Sequence, residues 1–167
     1  MKQPQKTNVA RLLDKAKVAY ELIAYAFDEN DLAAQHVAEE LGQDIRQVFK
    51  TIVLQGDRNG HLVCVVPGNC EVDLKKAARV SGNKKVEPLP MKELLPTTGY
   101  IRGGCSPIGM KKHFPTFFHA TALDFEHIYV SAGQRGLQIK IHPADLIRES
   151  RGEVADVVKK NANNTIH

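Results

Sequence analysis

The amino-acid sequence predicts an α+β fold: a single compact domain in which helices flank a mixed β-sheet. Helical signals concentrate towards the two ends of the 167-residue chain, and β-rich runs fill its middle. No internal repeat and no linker divides the sequence, and its length suits one hydrophobic core. We therefore expect one domain over residues 1–167, with a core at about 8–158. The polar tail KKNANNTIH is expected to fray.

Helix and strand signals alternate in the first half of the chain. Apolar residues at helical spacing predict a helix over residues 9–21, capped by Thr7 or Asn8. An Asn-Gly pair at 59–60 separates the β-rich runs 51–55 and 61–66 and predicts a hairpin. The other predicted elements are an extended run at 22–27, a helix at 32–41 capped by Asp31 and ended by Gly42, a turn at 45–49 capped by Asp44, a helix at 74–80 capped by Asp73, and a strand at 85–86.

Strand signals dominate the second half. The runs at 100–104, 116–122, 127–132 and 137–141 predict strands separated by turn residues. MKELL at 91–95 predicts one or two helical turns stopped by Pro96. Pro143 can open a last helix over 144–150, and residues 154–160 extend the C-terminal structure.

Composition excludes several classes of protein. An apolar fraction of 43% and a charged fraction of 25% are those of an ordinary globular chain. No apolar segment follows the charged start MKQPQKTN, and no run has the length of a membrane span, so we expect a cytoplasmic protein without membrane contact. Three cysteines at no metal-binding spacing indicate free thiols in a reducing compartment. A net charge of +4 permits a polyanionic partner without requiring one.

The loop GGCSPIG at residues 103–109 is the first candidate site. Glycine pairs let a backbone approach a ligand and turn its N–H groups inward, so the loop could cradle a ligand. On spacing alone, a tight connection between strands is the stronger reading. Cys105 could be a nucleophile if a histidine lies near it, whereas Ser106 lacks the G-x-S-x-G context of a serine hydrolase.

Two further features are candidates on chemical grounds. The turn SAGQRG at 131–136 has a glycine on each side of Arg135, and it is either a hairpin turn or a second backbone wall that faces GGCSPIG. Lys50 leads into a β-rich run, so its ammonium must snorkel outward or meet a negative partner.

A cluster of basic residues between 73 and 92, joined later by Lys111 and Lys112, is either a solvated surface or a phosphate-binding one. The seven histidines match no zinc pattern, and no phosphate-binding loop, dinucleotide fingerprint or H-E-x-x-H motif occurs. We therefore expect no metal and no organic cofactor.

Several of these segments, in this order, resemble the YbaK family of free-standing trans-editing domains, which are related to the editing insertion of bacterial prolyl-tRNA synthetases. The segments are QVFKTIVL, EVDLKKAAR, GNKKVE, TGYIRGGCSPIG and IYVSAGQRGLQI, and the likeness runs from about Asn8 to Asp156. It implies a compact α+β domain with a central curved mixed sheet. It also implies an aminoacyl-tRNA deacylase with Cys-tRNA(Pro) as the favoured substrate. Because the net charge is modest, we expect weak intrinsic affinity for tRNA, and a complex with prolyl-tRNA synthetase could then supply the tRNA specificity.

The resemblance also assigns site residues. The family lysine matches Lys50, the G-x-x-x-P loop matches Gly103 to Pro107, and the serine-glycine turn matches Ser131 to Gly136. The expected catalytic residues are Lys50, Gly103 and Gly104. The expected substrate-binding residues are Tyr25, Thr51, Cys105, Ser106, Pro107, Ile108, Ser131, Gly133, Arg135 and Gly136.

Two departures from the family pattern bear on function. Relatives often carry an aliphatic residue where this chain has Cys105, which argues against a nucleophilic role for that thiol. SAGQRG stands where SGGKRG is common, so Ala132 adds a methyl group and Gln134 removes a charge. The alternatives are editing of another aminoacyl-tRNA such as Ala-tRNA(Pro), a cysteine hydrolase centred on Cys105, and a module that binds aminoacyl-tRNA or a small molecule without turnover.

Overall fold

Five α-helices and eight strands are found in residues 5–160, the part of the chain that this computed structural model describes. The helices are Asn8–Lys15 (α1), Ala34–Leu41 (α2), Leu74–Ser81 (α3), Met91–Thr98 (α4) and Pro143–Glu149 (α5). The strands are Tyr20–Ala24 (β1), Phe49–Gly56 (β2), Gly60–Pro67 (β3), Val86–Pro88 (β4), Thr116–His119 (β5), Ile128–Ser131 (β6), Leu137–Ile141 (β7) and Glu153–Ala155 (β8). Most of the tail expected to fray, residues 161–167, lies outside the described residues.

The strands form two sheets, and the α+β class is confirmed. A five-stranded mixed sheet has the order β4-β2-β3-β5-β8, and an antiparallel three-stranded sheet has the order β1-β7-β6. In the larger sheet, β3 pairs with β5 and β5 with β8 in parallel, while β2 is antiparallel to both its neighbours. An isolated bridge between Val48 and Tyr129 joins the two sheets just before β2. The expected mixed sheet is thus divided in two, with β2 at the junction.

The hydrophobic core lies between the two sheets. Val53, Val63 and Val65 of the larger sheet pack with Val130 and Ile139 of the smaller one, in a single cluster of buried side chains. Burial of that apolar surface is the main force that holds the sheets together. Within residues 5–160, no helix combines the length and the apolar character needed to cross a bilayer.

Helices cover the outer faces of both sheets. On the larger sheet, Ala77 and Ala78 of α3 pack over Leu54, Cys64 and Val66. On the smaller sheet, α2 packs over Tyr129 through Val37 and Ala38. The small alanines allow each helix to lie close to its sheet, which fixes α2 at one side of β2 and α3 at the other.

Local sequence signals account for many of the element boundaries. The β2–β3 hairpin turns at Gly56–Gly60, as the Asn-Gly pair predicts. Asp73 caps α3 by accepting hydrogen bonds from the N–H groups of Lys75 and Lys76 at 3.0 Å. Gly42 ends α2 at a φ of 67°, a conformation that glycine adopts without strain.

Four local predictions are wrong. Asp31 does not cap α2: its own N–H donates to the Asp28 carbonyl in a turn, and Ala33 stands at the cap position. Pro96 lies inside α4, which continues through it because proline removes only its own N–H donor. In the last turn the Thr98 hydroxyl donates to the Leu94 carbonyl and the Gly99 N–H donates to the Leu95 carbonyl, both at 2.8 Å.

Residues 100–104 form no strand, because the Gly104 N–H donates to the Ile101 carbonyl and closes a turn. The predicted first helix is also too long, since Lys17 has a φ of 60° and the chain enters β1 at Tyr20.

Candidate active site

A cavity of about 450 Å³ opens beside β2. Its lining comes from α2 and the residues before it, from β2, from β4 to α4, from the loop at 102–105, and from β6 and β7. A pocket of this size suits a small organic group rather than a lone ion. We call it the candidate cavity.

The candidate cavity lies at a gap in the edge of β2. On that edge, β6 meets the strand at Val48, and β4 pairs with it from Leu54 to Gly56. The Val53 carbonyl is turned to the same edge, where it accepts a hydrogen bond from the Leu89 N–H at 3.1 Å. Because peptide groups alternate along an antiparallel strand, the N–H and C=O of Thr51 are turned to this edge as well. The gap therefore offers a backbone donor and acceptor to a bound molecule.

Lys50 holds a positive charge at the wall of the candidate cavity. Its half-buried side chain extends to the loop after β3, where Nζ donates to the Gly68 carbonyl at 3.2 Å. Burial lowers the pKa of the ammonium below its ordinary value, while the charges of Cys70 and Glu71 oppose that shift. A single carbonyl acceptor leaves the other ammonium protons available to an anionic or carbonyl oxygen of a ligand.

Three polar side chains from different strands also reach the cavity: Thr51, Ser131 and Gln138. Ser131 and Gln138 are 8% and 5% exposed, and they are register partners on β6 and β7, so their side chains share one face of the sheet. Thr51 Oγ1 and Gln138 Oε1 are buried and have no hydrogen-bond partner among residues 5–160. An unpaired buried polar atom costs about 1–3 kcal/mol, which a ligand that hydrogen-bonds to it would recover.

Gln138 is a site residue that the sequence analysis missed. In LQIKI, polar residues alternate with apolar ones, and that pattern is typical of a strand with one solvent-exposed face. The exposed face expected for Gln138 is instead covered by α2 and by the cavity wall. No local sequence signal distinguishes these two cases.

The GGCSPIG loop is divided between two environments. Gly103 and Cys105 line the candidate cavity. Ser106 is fully buried and its Oγ accepts a hydrogen bond from the Ile108 N–H at 3.4 Å, so its role is structural. Pro107 and Ile108 line a second cavity of about 250 Å³ on the other side of the loop. The structure therefore places these three predicted binding residues away from the candidate cavity.

Backbone N–H groups of this loop differ in their availability. The N–H of Gly104 already donates to the Ile101 carbonyl at 3.0 Å, so the structure contradicts its expected role as a free donor. The N–H groups of Gly103 and Cys105 meet no acceptor within residues 5–160. These two donors, and not Gly104, are the available ones at the cavity.

Cys105 is a poor candidate for a nucleophile. Burial raises the pKa of its thiol to about 12, so the thiol is protonated at neutral pH. The described part of the chain shows no hydrogen bond from a histidine to this thiol. The side chain contributes a small apolar surface to the cavity wall.

The two glycine-rich turns contact each other directly. A Cβ on Gly104 would lie 3.0 Å from the Cα of Gln134, which shows how closely the backbones approach. Arg135 Nε donates to the Arg102 carbonyl at 2.9 Å and ties the turns together. Of the second turn, Ser131 lines the candidate cavity, and Arg135 supports the first turn from outside the lining. Gly133 and Gly136 lie outside the lining too, against Tyr100 and Phe27 respectively.

Tyr25 lies near these turns but outside the cavity lining. Its N–H donates to the Gly136 carbonyl at 3.0 Å, and its ring packs with the buried cluster under α2. The structure thus gives Tyr25 a supporting position and not a lining one. Among residues 5–160, no group of three His, Cys, Asp or Glu side chains is arranged to hold a metal ion.

Comparison with known proteins decides the family. The model of the aminoacyl-tRNA editing domain matches residues 28–149, which include Lys50, both glycine-rich turns and Gln138. The chain belongs to this family. The resemblance noted in the sequence is therefore confirmed, and the cavity described above is a cavity of an editing domain.

Individual relatives agree with this assignment. The editing domain is 49% identical to a protein of Enterococcus faecalis, provisionally named Cys-tRNA(Pro)/Cys-tRNA(Cys) deacylase EbsC, over 95% of this chain and 97% of that protein. It is 27% identical to the proline–tRNA ligase of Thermosipho africanus over 59% of this chain, which is 18% of the ligase.

A crystal structure of a protein described provisionally as a trans-editing enzyme for prolyl-tRNA synthetase superposes with a TM-score of 0.78. It covers 93% of this chain and all of the other at 21% identity, so it supports the fold.

Proposed function

We propose that this editing domain hydrolyses the ester of a mischarged aminoacyl-tRNA, with Cys-tRNA(Pro) as its main substrate, and that residues 1–167 act as one domain. The observation that carries the proposal is the meeting of the Lys50 ammonium, the open edge at Thr51 and the free N–H groups of Gly103 and Cys105 around one cavity. Cysteine on tRNA is the substrate named for the Enterococcus faecalis relative, which supports this choice.

The reacting atoms are supplied mainly by the substrate. The thiol sulfur of the attached cysteine attacks its own carbonyl carbon, and a tetrahedral oxyanion forms. The bond from carbon to the ribose oxygen then breaks, the ribose oxygen takes up a proton, and a cyclic thioester leaves. Water later opens this thioester to free cysteine. The mechanism needs no nucleophile from the protein, in agreement with the protonated thiol of Cys105.

The protein contributes position and charge. The N–H groups of Gly103 and Cys105 could donate to the oxyanion, and one such donor is worth about 3–4 kcal/mol in other acyl-transfer enzymes. Lys50 places positive charge where negative charge grows, and Thr51 and Gln138 offer acceptors for the α-ammonium group of the amino acid. Since β2, β7 and the loop at 102–105 supply these groups, the fold holds them in place before the substrate arrives.

Selection of the tRNA calls for a second protein. A net charge of +4 favours weak intrinsic binding of tRNA, and a complex with prolyl-tRNA synthetase would supply the choice of tRNA. The similarity to part of a proline–tRNA ligase supports this partner. Equal deacylation of Cys-tRNA(Pro) and Cys-tRNA(Cys) by the isolated protein is the expected result, and strong discrimination by the protein alone would contradict it.

The experiment that tests the function is a deacylation time course on Cys-tRNA(Pro) and Ala-tRNA(Pro). Wild type should remove cysteine only, and Lys50→Ala should do so about a hundredfold more slowly. Lys75→Ala, on the outer face of α3, is the matched control and should behave as wild type. Faster removal of alanine would retain the editing class but reject the thiol mechanism. If wild type releases neither cysteine nor alanine from tRNA, a module that binds aminoacyl-tRNA without turnover would be favoured.

A further inference from the structure

The chain segments around the candidate cavity differ in charge. Residues 28–41 contain five carboxylates and no lysine or arginine, and uncharged residues of this segment, from Leu32 to Val37, contribute to the lining. Residues 91–113, which also contribute to the lining, contain four lysine or arginine residues and one glutamate. A polyanion whose reactive end enters the cavity is therefore attracted more to the second segment than to the first.

Exposed cations occur at the candidate cavity and also at the second one. Arg102 lines the candidate cavity, whereas Lys112 and Arg151 line the second cavity, and the loop 103–109 separates the two. Lys111 is next to Lys112 in the chain, and its Nζ donates to the Pro96 carbonyl of α4 at 3.2 Å. We call these four cations, together with Lys92 of α4, the cationic wall.

All five side chains of the cationic wall are exposed, and within residues 5–160 none of them forms an ion pair with a carboxylate. Lys112 is held over the Phe114 ring at 5.7 Å from its centroid, which orients the ammonium without neutralising it. The charges of the wall are therefore available to an anion from solution.

The lysine-rich helix α3 is less suited to the same role. It packs on the outer face of the larger sheet, and no α3 residue lines the candidate cavity. Lys76 is already engaged, because its Nζ contacts Asp156 Oδ2 and the Val158 carbonyl at 2.9 Å. Sequence alone groups α3 with Lys111 and Lys112, whereas the fold separates them.

We propose that the cationic wall binds the phosphodiesters of the unpaired 3′ strand of tRNA, which runs from the candidate cavity across loop 103–109 towards the second cavity. This inference rests on the proposed function for the position of the aminoacyl end. The acidic segment 28–41 repels phosphates and so disfavours a path of the strand over α2. A groove of exposed cations that tracks the backbone is the usual way in which proteins hold single-stranded nucleic acid.

The test compares two variants that each remove two positive charges. Lys112→Gln combined with Arg151→Gln changes the cationic wall, and Lys75→Gln combined with Arg79→Gln changes the exposed face of α3. Fluorescence anisotropy measures binding of an RNA minihelix that carries no amino acid and has a single-stranded 3′ end. The binding is measured over a series of salt concentrations. Loss of two single-strand phosphate contacts should reduce the slope of log affinity against log salt by about 1.4. The α3 variant should keep the wild-type slope.

Either of two results would overturn the inference: an α3 variant that loses as much slope as the wall variant, or a wild type without salt-dependent RNA binding. Thermal unfolding checks that both variants are folded, and Lys92→Gln with Lys112→Gln provides a second wall variant.

Hydrolysis assays on two substrates distinguish a failure of this inference from a failure of the proposed function. On Cys-tRNA the wall variant should raise KM, whereas on 3′-O-cysteinyl-adenosine, which has no phosphodiester, it should match wild type. Absence of hydrolysis by wild type would count against the proposed function. The salt dependence of RNA binding would still show whether the cationic wall contacts the RNA phosphates.

Discussion

Gln138 lies directly opposite Ser131 in the β6–β7 ladder, and both side chains point to the candidate cavity. Ser131 Oγ accepts a hydrogen bond from the Gly133 N–H at 3.1 Å, whereas Gln138 Oε1 has no partner among the described residues. A buried acceptor that the fold leaves unpaired is stabilised only when a ligand donates to it.

Gln138→Met should therefore separate stability from activity. Methionine fills a similar volume without the unpaired oxygen, so the free energy of unfolding should rise by about 1 kcal/mol. Loss of one hydrogen bond to the substrate should raise KM for the aminoacyl-tRNA about tenfold, with a smaller effect on kcat.

Urea unfolding and steady-state deacylation measure the two effects of Gln138→Met. Lys140→Met is the control, because Lys140 lies on the same face of β7 but outside the cavity lining. It should not raise KM for the aminoacyl-tRNA, and it removes no unpaired buried oxygen. A Gln138→Met protein with lower stability and unchanged KM would contradict the assignment.

The sequence could predict those parts of the fold that depend on local chemistry, such as the cap at Asp73 and the hairpin at Gly56–Gly60. Lys50, Gly103 and Ser131 are predicted as site residues only through the resemblance to the YbaK family, because local chemistry alone favours a structural role for each. The role of Gln138 could not be predicted, because it depends on which helix covers β7, and that is settled by tertiary packing. The contact between the two glycine-rich turns also requires three-dimensional information, since more than twenty residues separate them in the chain.

Cys105→Ala should leave deacylation near the wild-type rate. The pKa of the thiol is raised to about 12 by burial, so neutral pH gives almost no thiolate. Truncation of this small, partly buried side chain should cost about 1 kcal/mol of stability or less. Single-turnover deacylation of Cys-tRNA(Pro) is the measurement, with Cys64→Ala as a control for loss of a buried thiol remote from the cavity. A loss of several orders of magnitude in Cys105→Ala alone would indicate a nucleophile.

Lys50 should give the activity an alkaline limit. Only its protonated form supplies charge to the oxyanion, and burial lowers the pKa of the ammonium, so activity should fall at a lower pH than for an ordinary lysine. Lys50→Arg should remove this limit, because a guanidinium stays protonated, although its shape should reduce the maximal rate. The profile is measured after subtraction of the uncatalysed hydrolysis at each pH. Identical alkaline limits in wild type and Lys50→Arg would exclude a role for the Lys50 proton.

Lys50 should also reduce stability at neutral pH. Its pKa is lower in the folded than in the unfolded chain, so between these two values the unfolded chain binds more protons and stability rises with pH. Lys50→Met should remove that rise and increase the free energy of unfolding at neutral pH. Urea unfolding at neutral and alkaline pH tests this, and a flat wild-type profile would contradict it.

His119 should make the fold sensitive to acid. It is 8% exposed at the end of β5, and its Nδ1 accepts a hydrogen bond from the Val157 N–H at 3.4 Å, which joins β5 to the C-terminal segment. Burial lowers the pKa of the imidazole, and this outweighs the opposing charge of Asp156. The unfolded chain therefore binds the extra proton first, and stability is lost as pH falls from the ordinary histidine pKa through the lowered folded value.

His119→Gln should flatten this acid dependence. His142→Gln is the matched control, because His142 also accepts a backbone hydrogen bond through Nδ1, from Ala144, but is exposed. The free energy of unfolding is measured in urea at neutral pH and at a pH below the ordinary histidine pKa. The difference between the two values gives the pH dependence of stability for each protein. His142→Gln shows how much stability at neutral pH is lost with one exposed backbone contact of the same kind. Equal slopes in wild type and His119→Gln would assign the acid sensitivity to other groups.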